Sequence, residues 1–387
     1  MKKLLILLVF GNVFWGNSQS ITRSLLFLDY ETKQPIEDVS VFINKTKLLY
    51  LSNSVGIVNF ELSGNSTIVI SHTTYESMNL RSITLKDKNT IYLKSTINSL
   101  EEIIITNQHP QKILKNLIVN SISKLTIPSK LKVYSREFFK INDVYSNFND
   151  GLINFQLSRN SKNIETSILV EQNRSYGLVD ENINDYLLGY NLNNIMENYY
   201  KFKYLDVLLE PKAKKEFDFI VKSYVDNEDY YKMVVLPNQD SKGLKDEFTI
   251  VYDHKQKIII EVSATLSEVT LAKTSKKYHV GSKNITKSFF KTKYTMDKTN
   301  YYLVNSKEEI GFEKIKKDQT YNVEIRSYFV TVNFGKQKFS FKPEVVFKDK
   351  SLFNKKNVIL SNYWETSGLS ATSEEELIIE YVKDLHN

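Results

Sequence analysis

The chain has 387 residues, of which 41% are hydrophobic and 25% charged, and it contains no cysteine. Its length suits two or three globular domains, and 24 tyrosines and 22 phenylalanines against only 12 glycines favour sheet. The net charge of +7 comes from scattered basic residues, in short runs beside acidic ones. We therefore expect no nucleic-acid partner.

The first residues have the pattern of a secretory signal peptide. Two lysines open the chain, an apolar run extends from Leu4 to Phe14, and small residues close the segment. The run is shorter than the ~20 residues that a membrane-spanning helix needs. We interpret residues 1–20 as a signal peptide and expect an exported protein whose mature chain begins at Gln19 or Ile21.

The absence of cysteine limits how the mature chain can be anchored or cross-linked. A lipoprotein needs a cysteine at its mature N-terminus, and disulfides and thiolate metal sites need cysteine as well. No later stretch is apolar over a membrane-spanning length. We expect a protein of the periplasm or the outer membrane that is not a lipoprotein, and we leave peripheral membrane association open.

Residues 21–96 have the pattern of short strands separated by turns. The segments VSVFINK, IVNFEL and TIVISH alternate apolar and polar residues, which is typical of half-buried strands. Gly56 precedes IVNFEL in a turn, where we expect a positive φ, and Phe60 should be buried. Short strands with turn signals between them predict a seven-stranded antiparallel β-sandwich.

Three groups of motifs follow one another in this segment: Asp29 with Thr32-Lys33-Gln34-Pro35-Ile36 and Val39-Ser40-Val41, then Ser52-Asn53-Ser54-Val55-Gly56 with Val58-Asn59-Phe60, and last Ile68-Val69-Ile70-Ser71 with Thr74-Tyr75-Glu76. The series resembles the carboxypeptidase regulatory-like domain, a transthyretin-like β-sandwich common in exported proteins of gram-negative bacteria. Gln34 and Thr74 replace glycines that are usual in that family, and Ser52-Asn53 replaces Thr-Asp. The resemblance implies a sandwich without peptidase activity, because in that family the peptidase is a separate domain.

His72 and Glu76 lie four residues apart, a spacing that can bind a metal ion when both residues share one helical face. The apolar run before His72 predicts an extended backbone instead. The remaining histidines are His109, His254, His279 and His386. They lie far apart in the sequence, and a zinc site needs a third ligand. We therefore expect no metal site here, only a histidine at the rim of the sandwich and a solvated glutamate.

Residues 97–130 are expected to connect the sandwich to the next domain by a strand and a helix. The segment LEEIIIT, residues 100–106, predicts a short strand, buried or at a sheet edge, that is apolar on both faces. After His109-Pro110, apolar residues recur at helical spacing. We predict a one-sided helix over residues 112–125 that ends before Pro128 and docks on the sheet that follows.

The segment from this helix to Phe138 resembles uncharacterised gram-negative envelope proteins in which a helix, a Tyr-Pro turn and a Phe-Tyr-Arg-Glu strand follow in order. Here the turn is Ile127-Pro128 and the strand contains Arg136 and Glu137. Neighbours on a strand face opposite sides, so we expect no shared catalytic pair. One of the two can point inward and pair with a buried charge.

Residues 131–387 predict an antiparallel-sheet domain with a helix near 183–209, so the whole chain is expected to be mainly β, with a sandwich followed by an α+β domain. The expected sheet is large and curved and carries a few helices. Alternation places two apolar sets on single strand faces: Phe217, Phe219 and Val221, and Phe248, Ile250 and Tyr252. Helices that cover the sheet would make these faces core, whereas an open sheet would make them a groove. We expect the covered arrangement.

The sequence carries no catalytic motif that we recognise. It has no glycine-rich phosphate loop, no Gly-x-Ser-x-Gly elbow and no cysteine nucleophile. We therefore predict no catalytic, cofactor-binding or metal-binding residue and no cofactor, and we leave the ligand-binding residues unassigned. The expected function is a non-catalytic envelope protein that binds or scaffolds a cell-envelope partner. One alternative is a periplasmic carrier of an apolar ligand in the C-terminal sheet; another is a hydrolase with three or more carboxylates or tyrosines converging in a pocket.

Overall fold

The computed structural model describes residues 20–96, 102–160, 163–177, 191–224, 228–273, 279–280, 283–297, 299–316, 319–336, 343–353, 355–366 and 368–385. Of the predicted signal peptide, only residue 20 lies within these ranges. The beginning of the helix expected near 183–209 also lies outside them.

The N-terminal unit is a sandwich of two sheets. Its strands are β1 (Ile21–Asp29), β2 (Ser40–Ile43), β3 (Leu48–Leu51), β4 (Ile57–Leu62), β5 (Thr67–His72), β6 (Tyr75–Arg81) and β7 (Lys88–Leu93). One sheet has the order β4-β1-β7 and the other β3-β2-β5-β6. The seven-stranded sandwich is thus confirmed, with one departure from a purely antiparallel arrangement: β1 and β7 pair in parallel. A parallel pair needs a long crossover connection, which strands β2–β6 supply here.

The sandwich core lies between the two sheets and follows the alternation in the sequence. Val58, Phe60 and Leu62 of β4 are all buried, and Phe60 is 0% exposed. Gly56 has a φ of +77°, and a Cβ on it would lie 2.5 Å from the Phe27 carbonyl oxygen. The predicted positive φ at this turn is therefore confirmed, and only glycine fits the space.

The second unit contains one large sheet. Its strands are β8 (Ser129–Ile141), β9 (Val144–Asn160), β10 (Asn163–Gly177), β11 (Phe217–Ser223), β12 (Tyr230–Pro237), β13 (Asp246–Asp253), β14 (Ile258–Leu266), β15 (His279–Val280), β16 (Lys283–Asp297), β17 (Asn300–Lys316) and β18 (Gln319–Gly335). The order is β10-β9-β8-β18-β17-β16-β14-β13-β12-β11, and β15 pairs with β16. Every pairing in it is antiparallel, which confirms the predicted large antiparallel sheet.

The sheet consists of two hairpin series joined in the middle. Strands β8 to β10 follow one another along the chain, and so do strands β11 to β18. The two series meet where β8 pairs with β18 over Val323–Gly335 and Lys130–Ile141. The centre of the sheet is therefore formed by segments that are distant in sequence.

The described residues form six α-helices: α1 (Pro110–Lys124), α2 (Leu192–Tyr200), α3 (Asp206–Leu209), α4 (Ala213–Glu216), α5 (Glu268–Lys273) and α6 (Ser373–Asp384). Helix α1 confirms the helix predicted over 112–125, and the His109 side chain caps its N-terminus by accepting a hydrogen bond from the Gln111 amide. None of the helices in these ranges is long and apolar enough to cross a membrane.

The helix expected near 183–209 is present in its described part, but it is interrupted. Helix α2 ends at Tyr200, and Phe202 then adopts a left-handed conformation with φ of 54°. A non-glycine residue in that conformation cannot continue a right-handed helix. The chain resumes as a short 3₁₀ turn and helix α3.

The main core lies between one face of the large sheet and helices α1 to α4. The apolar face predicted on β13 is part of this core: Phe248, Ile250 and Tyr252 are all buried. On β11, Phe217 is also buried, while Phe219 is half-buried and packs edge-on against the ring of His109. The helices therefore cover these strand faces, as expected.

Both edge strands of the large sheet carry a short flanking segment. Ile103 forms an isolated bridge with Lys222 of β11, and Val358 forms one with Asn173 of β10. Of the strand predicted over 100–106, the structure describes residues 102–106; they lie at a sheet edge, and Ile103 alone forms a bridge. Ile103 is 68% exposed and Ile105 is 94% exposed.

Candidate functional site

His72 and Glu76 lie on neighbouring extended strands, as predicted, and do not form a ligand pair. The Nδ1 atom of His72 accepts a hydrogen bond from the Thr74 amide at 3.1 Å, and its ring also bonds to the backbone of Glu37. Burial and the nearby Lys293 lower the pKa of His72 to about 3, so the ring is neutral. Glu76 is exposed.

The described part of the chain contains no group of three or more histidine, aspartate or glutamate side chains that could hold a metal ion. His109 caps α1, and His254 stacks on Tyr231 with ring centroids 4.2 Å apart. His279 lies on β15, and His386 is outside the described residues.

Arg136 and Glu137 of β8 point to opposite faces of the sheet, and both are completely buried. Glu137 faces the main core side, where Ser351 donates a hydrogen bond to its Oε2 at 3.2 Å. Arg136 faces the opposite side. The two side chains therefore cannot act on one substrate together.

Arg136 pairs with a buried charge, as the sequence suggested for one of the two. Its Nη1 donates to Oε2 of Glu375 at 3.1 Å, its Nη2 to the Leu369 carbonyl at 2.9 Å, and its Nε to the Tyr134 hydroxyl at 2.9 Å. Glu375 belongs to α6, so the guanidinium fixes the C-terminal helix to the sheet. Although burial opposes its charge, the tyrosine and Glu375 raise the pKa of Arg136 above its ordinary value.

Asp150 on β9 is the centre of the same network and is 0% exposed. Arg174 binds its two oxygens at 2.9 and 3.0 Å. Tyr134 and Tyr363 each donate to it at 2.8 Å. A carboxylate has about four acceptor positions, and these four bonds fill them. Burial and the carboxylate raise the pKa of both tyrosines, which therefore stay protonated and donate.

Sequence reasoning missed most of this network. Asp150 and Arg174 lie within long strands, and Tyr363 lies in a segment without periodicity, so no local pattern indicates them. The one available signal is Thr372-x-x-Glu375, a capping box that predicts the start of α6. Both hydrogen bonds of that box are present.

A second buried polar cluster surrounds Glu308 of β17. The hydroxyls of Tyr199 and Tyr204 each donate to its Oε1 at 2.6 Å, and Ser306 donates to the Tyr199 oxygen at 2.9 Å. Burial raises the pKa of Glu308. A carboxylate with converging tyrosines is what the hydrolase hypothesis requires, but Glu308 is only 6% exposed and lies within the packed core. A substrate cannot reach it there.

A cavity of about 380 Å³ lies where the sandwich meets the large sheet. The sandwich contributes β5, β6 and the turn between them, and the sheet contributes β12, β13, β14 and β16. We call it the joint cavity; its charged and titratable lining residues are His72, Tyr75, Glu76, Tyr224, Tyr230, Asp253, Lys293 and Tyr294. His72 and Glu76 thus do border a cavity, although not as metal ligands.

Another cavity, of about 440 Å³, lies beside α6. It is bordered by Arg174 and Trp364, whose ring centroid is 4.3 Å from the guanidinium carbon. Asn59 of the sandwich also borders it. This cavity therefore lies over the Asp150 network, whose polar groups already bond to one another.

The C-terminal segment holds the sandwich against the large sheet. The Leu51 amide donates to the Gly368 carbonyl at 2.7 Å, and the Asn59 amide donates to Oγ of Ser370 at 3.0 Å. A Cβ on Gly368 would lie 2.3 Å from Cγ1 of Val332 on β18. A side chain at this position would collide with β18, so the close approach requires glycine.

Two ion pairs span the same joint directly. Lys291 of β16 binds Asp38 at 3.0 Å, and Lys307 of β17 binds Glu37 at 3.3 Å. Burial opposes the charge of Lys291, but Glu261 and Asp38 raise its pKa. The joint therefore combines backbone pairing with partly buried charge pairs.

No family model matches the chain, and no curated protein does. Among solved structures, it is similar to a Bacteroides fragilis protein that is described as membrane-associated and of unknown function. The identity is 9%, the match covers 81% of this chain and 98% of the other, and the TM-score is 0.16. A likeness at that score supports no conclusion about fold or function.

Proposed function

We propose that this protein is a non-catalytic, exported protein of the cell envelope that scaffolds or binds another envelope protein. In this proposal the sandwich is a carboxypeptidase regulatory-like domain, supported by its seven strands and by Gly56 at the expected turn. The large sheet forms the second unit, against which that domain packs.

The contacts that join the sandwich to the large sheet are the observation that supports the proposal. Amide and carbonyl groups of β3 and of residues 368–370, together with Lys291–Asp38 and Lys307–Glu37, hold the sandwich in one orientation. Fixed geometry between two surfaces is what a scaffold needs, whereas an enzyme would need reactive groups that are accessible. The buried charged groups described above are occupied by one another: Arg136 binds Glu375 and Arg174 binds Asp150, while Glu308 accepts from the Tyr199 hydroxyl.

The alternative of an apolar carrier would require an open apolar face on the large sheet. Phe248 and Ile250 lie instead in the filled core beneath the helices. This packing favours the scaffold over the carrier.

The test uses chemical cross-linking in intact cells that produce the protein, followed by purification from the envelope fraction. We expect a discrete envelope partner with the native protein, and loss of that partner with Asp38→Lys, which sets two cations against each other. The exchange Asp38→Lys with Lys291→Asp restores an opposite-charge pair and should restore the partner. The proposal fails if the native protein gives no discrete partner, or if it hydrolyses a substrate and loses that activity when a buried carboxylate such as Glu308 is changed.

A further inference from the structure

We propose that two copies of this protein associate through the segment 102–106, which pairs with the same segment of the second copy and so joins the two large sheets edge to edge. The inference goes beyond the scaffolding proposal, because it concerns a second copy of this chain and not a different envelope protein.

Residues 102–106 run alongside β11 and leave one backbone edge open. The Ile104 amide donates to the Val221 carbonyl at 2.8 Å, and the Ser223 amide donates to the Glu102 carbonyl at 2.8 Å. In an antiparallel pair, the backbone groups of alternate residues point to alternate sides. The amide and carbonyl of Ile103 therefore point away from the sheet, and no backbone hydrogen bond joins them to another residue in the described ranges.

The same edge exposes apolar side chains. Ile103 is 68% exposed and Ile105 is 94% exposed, whereas Ile104 between them packs against the main core. This alternation is typical of an extended chain, so the backbone groups of Ile105 also point outward. Open edges are usually protected by lysine or proline, and residues 102–106 contain neither. An open backbone beside exposed isoleucines is suited to the addition of a strand.

The opposite edge of the large sheet is better protected. Leu360, in the segment that flanks β10, is 73% exposed, but its amide donates to Oε1 of Gln172 at 2.8 Å. Lys355 and Lys356 precede this segment, and their charges oppose the approach of a second strand. The two edges therefore differ, and the segment 102–106 is the better candidate for pairing.

The strand that fits this edge is the same segment of a second copy. In an antiparallel register centred on Ile104, Ile103 of one copy lies opposite Ile105 of the other, and a two-fold axis generates the reverse pair. Both members of each pair have outward backbone groups, so they exchange both N–H···O bonds. Glu102 lies opposite Thr106, so no two carboxylates face each other. The segment is thus complementary to itself in hydrogen bonds, apolar contacts and charge.

The first test measures the association of the purified protein by sedimentation velocity over a series of concentrations. We expect a reversible equilibrium of monomer and dimer with a dissociation constant in roughly the micromolar range, because the interface is small. Ile105→Lys places two ammonium groups close to the two-fold axis and should weaken the dimer roughly a hundredfold. Leu360→Lys, at the protected edge, is the matched control and should leave the dissociation constant unchanged.

A second pair of variants separates backbone pairing from a general apolar contact. Ile105→Pro keeps an apolar side chain but removes the N–H that the pairing requires, whereas Ile105→Val keeps both. We expect the proline variant to be monomeric and the valine variant to associate like the native protein. Because Ile105 is 94% exposed, both variants should fold, which unchanged circular dichroism would verify.

The register is tested by disulfide formation, since the chain has no cysteine of its own. Ile103→Cys and Ile105→Cys proteins, one of them tagged, are oxidised separately and as a mixture. Opposite residues that exchange hydrogen bonds have Cα atoms about 5.5 Å apart, which a disulfide can span. The cross-link should therefore form in the mixture and in neither protein alone.

Several results would overturn the proposal. These are a native protein that stays monomeric at every concentration, oligomers larger than a dimer, loss of the dimer in Leu360→Lys, a dimer that persists in Ile105→Pro, or cross-links in the separate cysteine variants.

Discussion

Replacing Arg136 by methionine tests whether the buried network holds the C-terminal helix to the sheet. The change removes three hydrogen bonds, to Tyr134, Leu369 and Glu375, while keeping an apolar side chain of similar length. Breaking a buried ion pair by removing one partner costs about 3–5 kcal/mol, since the other charge stays buried. Glu375 keeps Arg326 at 3.3 Å, so we expect the lower end, about 3 kcal/mol.

The assay is equilibrium unfolding in urea, followed by tryptophan fluorescence. In a chain that begins at Ile21, Trp364 is the only tryptophan, and it stacks on Arg174 of the same network. Lys132→Met is the matched control on the same strand, because its ion pair with Glu171 is about one-third exposed on both sides and should contribute at most about 1 kcal/mol. An Arg136→Met protein as stable as the Lys132→Met protein would refute the reasoning.

Four further outcomes are expected. The free energy of unfolding should fall by about 1.4 kcal/mol per pH unit from pH 6.5 towards 3. The pKa of His72 is lowered from 6.5 to about 3, so only the unfolded ring takes up a proton in that window. In urea melts at each pH, His72→Asn should flatten this slope, and an unchanged slope would contradict the role of His72. Glu308→Gln should lower the free energy of unfolding little, since the amide oxygen can still accept from the two tyrosines. Glu308→Leu should lower it by about 2–4 kcal/mol by leaving both hydroxyls unpaired. Equal losses in the two variants would show that the acceptor is unimportant. Phe60→Ala should cost about 3–5 kcal/mol, and an unchanged urea midpoint would count against its place in the sandwich core. N-terminal sequencing of native protein should give Gln19 or Ile21, and an intact Met1 in a cytoplasmic fraction would exclude export.

The parts of the fold that depend on near neighbours could be predicted from the sequence. Alternation in IVNFEL places Phe60 in the core, and helical spacing before Pro128 indicates α1, because both patterns arise within one element. The break at Phe202 could not be foreseen, since nothing in a Tyr-Tyr-Lys-Phe segment requires a left-handed residue. Tertiary packing imposes it.

The candidate sites were less predictable because their members come from distant segments. Arg136 and Glu375 are separated by most of the second unit, and Lys293 reaches the sandwich only after two sheets have packed. The alternation at Arg136-Glu137 correctly separates the two side chains. It cannot name a partner, because strand register and the order of strands in the sheet are set by contacts between hairpins.

The pairing of β8 with β18 constrains the order in which the protein can complete its fold during synthesis. Residues 129–141 emerge early, yet their hydrogen-bonding partner is made of residues 319–335. Until those residues arrive, the β8–β10 hairpins carry an open edge in the middle of what will become the sheet. Such edges promote pairing between chains, and closing so long a loop is slow. A nascent or truncated chain that stops before residue 319 is thus the form of this protein most in need of a chaperone.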